Sequence, residues 1–108
     1  MTLSARQALS GQLLSWPEVK EQPHRFGGIE FQYKGKEIGH LHGDYLLDVL
    51  LPKALRDQFV AEGRAEPHHI YPDSGWISFY IRSSEDIAKA AELLRIKYDH
   101  MVQKETGR

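Results

Sequence analysis

Two short stretches carry most of the chemistry-bearing residues. KEIGHLHGDY holds His40, His42, Glu37 and Asp44, and EPHHIYPDSGW holds His68 and His69. Four of the six histidines thus fall in two tight pairs. Imidazole changes charge near neutral pH and is the commonest protein ligand for first-row metals, so such clustering points to acid–base work, ligand anchoring or metal binding. If residues 37–42 form a strand, His40 and His42 point to one face, because side chains alternate with a period of two. Ile38 then shares that face, while Glu37 and Leu41 point the other way. Adjacent His68 and His69 point to opposite faces of an extended segment, so only one of them joins the first pair. Asp44, Asp48 and Glu30 are the carboxylates available to complete a site. A metal-free histidine cleft, a divalent ion held by His40, His42 and His69, and histidines with a purely structural role all remain open.

Other residues offer less. Arg25 in HRFGG, or Arg64 after Gly63, can anchor an anionic group. Trp76 and Tyr80 share a strand face and can stack on a ligand, although packing is the plainer account of Trp76. Ser74 lies in PDSG, a turn composition rather than a strand-to-helix nucleophile elbow. Asp48, between apolar strand residues, either faces outward or is a buried partner for a cation.

The elements that must position these residues follow from periodicity and breakers. Residues 4–15 read as a helix with a Ser4/Gln7 capping box and an apolar face of Leu9, Leu13 and Trp16, ended by Pro17. Residues 18–27 read as a connector with room for a short strand. Residues 29–34 alternate apolar and polar as a half-buried strand does, Lys34-Gly35-Lys36 turns, and 37–42 returns. A third strand spans 45–50. A helix follows Pro52 and stops at Gly63. Residues 67–71 read as a short extended segment and 76–82 as another strand. The last helix starts near Ser83, with Glu85 and Asp86 in its first turn and an apolar stripe of Ile87, Ala90, Ala91, Leu94, Tyr98 and Met101. The order α-β-β-β-α-β-β-α predicts an α+β two-layer domain, an antiparallel sheet of about five strands with helices on one face.

Bulk composition narrows the function. The 108 residues suit a single domain 1–108, with a core over about 4–102 and a frayed polar tail at 103–108. A hydrophobic fraction of 41% supports one core. No metal or cofactor is required for folding. A net charge of −1 without a basic stripe argues against nucleic acid as a partner. The absence of cysteine removes thiol catalysis, and no apolar run is long enough for a signal peptide or membrane span. The expectation is a soluble cytoplasmic protein, open to a small-molecule ligand and to homo-oligomerisation.

RFGGIEF, then EIGHLHGDYLLDVLLPKALRDQFVAEGRAEPHHIYPDSGWISFYIRS, then DIAKAAELLRIKYDH resembles the luciferase-domain family, small bacterial and fungal domains related to fungal luciferase. The likeness runs from about Trp16 to Tyr98. A vaguer likeness to the YjbR-like family rests on the spacing of LPKALRD, EPHHIY, GWISFYI and KYDHM. The first resemblance implies a shared fold and a pocket lined by GHLHGD and PHH. It also implies an oxidoreductase of the oxygenase kind, since fungal luciferase oxygenates a hydroxylated pyrone with molecular oxygen. On this reading His40, His42 and one of His68 and His69 serve as base or anchor, Asp44 orients a histidine, and Arg25 or Arg64 holds an anionic oxygen. The competing reading is a non-catalytic small-molecule or protein-binding module.

Overall fold

A computed structural model describes residues 4–24 and 27–106. Helix α1 (Ala5–Leu13) opens with the expected capping box. The Gln7 N–H donates to Ser4 Oγ at 3.1 Å, and the Ser4 N–H donates to Gln7 Oε1 at 3.0 Å. The predicted connector does form a strand, β1 (Val19–Pro23), paired antiparallel with β2 (Ile29–Tyr33). Lys34 and Gly35 have φ values of 51° and 85°, the left-handed pair a two-residue hairpin turn requires. The chain returns as β3 (Lys36–His42) and continues as β4 (Leu46–Leu50), α2 (Lys53–Ala61), the two-residue β5 (Glu66–Pro67), β6 (Trp76–Tyr80) and α3 (Ser84–Thr106). The strands form one antiparallel sheet in the order β1-β2-β3-β4-β6-β5, six rather than about five, within the α+β class the sequence predicts.

The two faces of this sheet differ sharply. On one, Ile29, Phe31, Leu41, Leu47, Val49 and Ile77 join Leu9 and Leu13 of α1, Phe59 of α2 and Ala90, Leu94 and Tyr98 of α3 in a single buried cluster. Gly39 admits α3 closely: a Cβ there would lie 2.8 Å from Leu94 Cδ2 and 3.0 Å from the Asp48 carbonyl oxygen. Helix α3 also runs on to Thr106, into the stretch expected to be a tail, of which 107–108 lie outside the described residues. Lys34 at the β2–β3 turn bonds Glu105 at 2.7 Å and ties that last turn to the hairpin.

Register, rather than simple alternation, sets the opposite face. The β2–β3 ladder pairs Phe31 with Gly39 but Gln32 with Glu37, so Ile38 is an extra residue in a β-bulge. Beyond the bulge the alternation resets. Ile38 enters the apolar core, and Glu37 joins the histidine face. This reverses the expectation for both residues, which assumed an unbroken period of two.

Candidate functional site

His40, Asp48 and Ser78 sit side by side across β3, β4 and β6, because His40 pairs with Asp48 and Asp48 pairs with Ser78. The next row holds His42, Leu46 and Tyr80. Asp48 is the hub. Its side chain is 1% exposed, and a carboxylate at that depth must be fully hydrogen-bonded to remain charged. Ser78 Oγ–H donates to Asp48 Oδ1 at 2.8 Å. Asp48 Oδ2 meets the Nε2 atoms of His42 at 2.9 Å, His69 at 3.2 Å, and His40 and His68 at 3.3 Å. Four imidazoles from two distant segments therefore converge on one oxygen.

Both members of the second histidine pair reach the centre, where the sequence allowed only one. The alternation argument fails because β5 ends at Pro67, and His69 and Ile70 lie in a bend. The His68 and His69 rings stack with centroids 4.3 Å apart and both turn Nε2 toward Asp48. His68 is locked there. Its Nδ1 accepts the Ile70 and Tyr71 N–H groups, each at 3.1 Å. Its ring proton accordingly sits on Nε2 and points at Asp48.

His40 is held from both sides. Its Nδ1 lies 2.5 Å from Glu37 Oε2, and His24 stacks on its ring at 4.0 Å. Burial opposes its positive charge, but the hydrogen bonds to Asp48 and Glu37 outweigh burial and push its pKa up to about 9. Burial likewise works against the Asp48 carboxylate. Its bonds with His40, Ser78, His69 and His42 prevail and hold it well below the usual carboxylate range. Burial lowers His24 and His68, which favours their neutral forms.

The centre has a buried floor and a half-open rim. The His40 and His68 side chains are 8% and 6% exposed, whereas His42 and His69 are 25% and 31% exposed. Trp76 forms one wall, its ring 5.4 Å from His40 and 5.8 Å from His68. Ile70 and Tyr71 stand exposed beside the rim. A cleft of about 1040 Å³ lies along the C-terminal half of α3, lined by Lys36, Lys53, Lys97 and Lys104, and shares Glu37 with the histidine centre.

The remaining sequence candidates take other places. Asp44 does not orient a histidine: its Oδ1 accepts the Arg6 N–H at 2.9 Å, at the start of α1. Asp48 and Glu37 fill that role. Arg64 lies over the Phe59 ring at 4.3 Å and bonds Glu92 of α3 at 2.6 Å, so it is engaged on the helical side. Tyr80 lies two positions beyond Ser78 and carries Arg82 over its ring. Arg25 lies outside the described residues. Ser74 is a turn residue, donating to the Tyr71 carbonyl at 2.6 Å. The sequence reading missed His24 and Glu37. The bulge moves Glu37 into place, and the β1–β2 pairing brings His24 over His40.

Three groups have the ligand types and proximity to hold a metal: His24/Glu37/His40, His40/His42/Asp48 and Asp48/His68/His69, each with ligand atoms within 4.8 Å of one another. Among the described residues, no helix is long and apolar enough to cross a membrane. No curated protein and no solved structure matches the chain. A family model described as the luciferase domain matches residues 35–97, more than half of the chain. That segment contains Glu37, His40, His42, Asp48, His68, His69 and Trp76, the whole centre except His24. The chain belongs to the luciferase-domain family.

Proposed function

We propose that the Asp48 centre is a catalytic site that deprotonates a small acidic, electron-rich organic molecule and delivers its anion to molecular oxygen. The observation that carries this reading is the pairing of a buried carboxylate with half-exposed imidazoles. Asp48 is out of water, and His42 and His69 bond it through Nε2 at the rim. An imidazole held through one nitrogen by a carboxylate keeps the other nitrogen to accept a proton, and the carboxylate stabilises the imidazolium that forms. His69 is the more exposed of the two and is placed as the base, with Nδ1 as the accepting atom. The exposed Ile70 and Tyr71 give an aromatic substrate an apolar lip beside it.

The step balances with dioxygen as co-reactant. A substrate enol O–H bond breaks and its proton goes to His69. The C=C electron pair of the enolate forms a C–O bond to dioxygen as the enolate oxygen becomes a carbonyl, and the proton returns to the distal oxygen to give a hydroperoxide. The family membership supports oxygen as the second substrate.

The test is oxygen uptake by the purified protein with a panel of hydroxypyrones, enols and phenols, with His69→Ala and Asp48→Asn alongside. Uptake with at least one acidic substrate, lost in His69→Ala while the variant stays folded, is the expected result. Saturable binding without uptake for any substrate would overturn catalysis and favour a binding module.

A further inference from the structure

We propose that the centre binds one divalent first-row transition ion through His40 Nε2, His42 Nε2 and Asp48 Oδ2, with His68 and His69 supporting the carboxylate. This rests on the catalytic reading for its purpose but not for its geometry.

The argument begins with an excess of partners. A carboxylate oxygen offers about two lone-pair sites. Four Nε2 atoms compete for those of Asp48 Oδ2, while Ser78 occupies Oδ1. The His68 tautomer assigns one of the four, because two backbone N–H groups on Nδ1 leave Nε2–H as a donor to Asp48. His68 is therefore a support and not a ligand. His40 differs from His68. Its Nδ1 faces the Glu37 carboxylate at 2.5 Å and donates there, so Nε2 is the nitrogen turned toward Asp48 Oδ2. In the metal-free protein a proton lies between Nε2 and that oxygen, and a metal ion can take the proton's place between the same two atoms. A ligating histidine whose second nitrogen donates to a carboxylate is also the usual support around protein metal ions.

The spacing agrees. Ligands about 2.0–2.2 Å from one ion, at angles between octahedral and tetrahedral, sit about 2.9–3.5 Å apart. His42 and His40 Nε2 lie 2.9 and 3.3 Å from Asp48 Oδ2, and each of the three residues offers a ligand atom within 4.8 Å of those of the other two. The rings of His40 and His42 meet edge to face at 5.0 Å, as two ligands turning toward a common point do. Two imidazoles and one carboxylate, without thiolate, suit iron(II), cobalt(II), nickel(II) or zinc(II) rather than calcium or magnesium. The alternative group at His24, Glu37 and His40 would need His40 Nδ1, the atom that Glu37 already holds. Three protein ligands leave positions open toward the rim, where an anionic substrate oxygen would bind beside His69.

The experiment uses the whole untagged chain, stripped with a chelator and titrated with cobalt(II) and zinc(II) by calorimetry, with the visible spectrum of the cobalt form as a second readout. One ion per chain is expected. His42→Ala and Asp48→Asn should weaken binding at least about a hundredfold, and Glu37→Gln about ten- to a hundredfold through the loss of the His40 support. His100→Gln, on α3, should bind as the wild type does. His42 is half-exposed, so its variant is expected to stay folded even if Asp48→Asn does not. Absence of one-to-one binding, or equal affinity in folded His42→Ala, overturns the proposal. Oxygen uptake by a protein that shows no one-to-one binding overturns the ion and leaves the catalytic reading standing. One-to-one binding without uptake for any substrate supports the ion and counts against the catalytic reading alone.

Discussion

In the metal-free protein, His40 should make stability fall as the solution turns alkaline. An unfolded histidine titrates near about 6.5, whereas folded His40 is pushed up to about 9. The folded state therefore holds its proton more tightly, so the stabilisation is complete below the unfolded value and is lost as pH rises through the folded one. Working the two-state linkage from pH 7 to pH 9 gives a loss of about 2 kcal/mol. For a domain of this size that is a fall of about 8 °C in Tm. His24 and His68 are lowered, so their linkage lies on the acid side, outside this window. The assay is thermal or urea unfolding in excess chelator at several pH values, comparing the wild type with His40→Gln. The variant keeps every other titrating group, including the half-buried Lys97, so the difference between the two curves isolates His40. A wild-type curve that falls no more steeply than the variant's between pH 7 and pH 9 would refute the claim that Glu37 and Asp48 together hold this imidazole charged.

Further outcomes follow from particular contacts. Ser78→Ala leaves Asp48 Oδ1 without its hydroxyl donor, and denaturant melts should show a loss of about 1–3 kcal/mol. Gly39→Ala drives a methyl group into Leu94 and the Asp48 carbonyl and should cost about 1–3 kcal/mol by the same measurement. In a double-mutant cycle Leu94→Ala should cost less in the Gly39→Ala background than in the wild type, because the nearest clash is with the Leu94 side chain. Gly28 has a φ of 74° and a virtual Cβ 1.9 Å from the Leu41 carbonyl oxygen, so Gly28→Ala should not yield a folded protein at all by circular dichroism.

Local signals in the sequence explain why so much of the fold was legible. The capping box at Ser4 and Gln7, the alternation of Ile29, Phe31 and Tyr33, and the apolar stripe of α3 are short-range patterns that fix an element wherever it packs. The candidate site was legible as a collection of residues but not as an arrangement. GHLHGD and PHH do meet, and Asp48 was among the carboxylates in view. Choosing Asp48 over Asp44 needed the β3–β4 register, which places Asp48 opposite His40. Seeing that His68 and His69 both contribute needed the end of β5 at Pro67. Glu37 was assigned to the wrong face because a single bulge at Ile38 shifts the alternation by one. Each of these depends on pairing between segments, which no local pattern carries.

The account stands on Asp48 gathering four imidazoles with defined proton positions. Long-range proton–nitrogen NMR of histidine-labelled protein tests that directly, first with chelator and then with one equivalent of zinc. The metal-free spectrum should show His68 protonated on Nε2 alone and His40 doubly protonated at neutral pH. Zinc should shift Nε2 of His40 and His42 and leave the His68 tautomer in place. A His68 ring carrying its proton on Nδ1, or zinc that perturbs none of the four rings, would contradict the account.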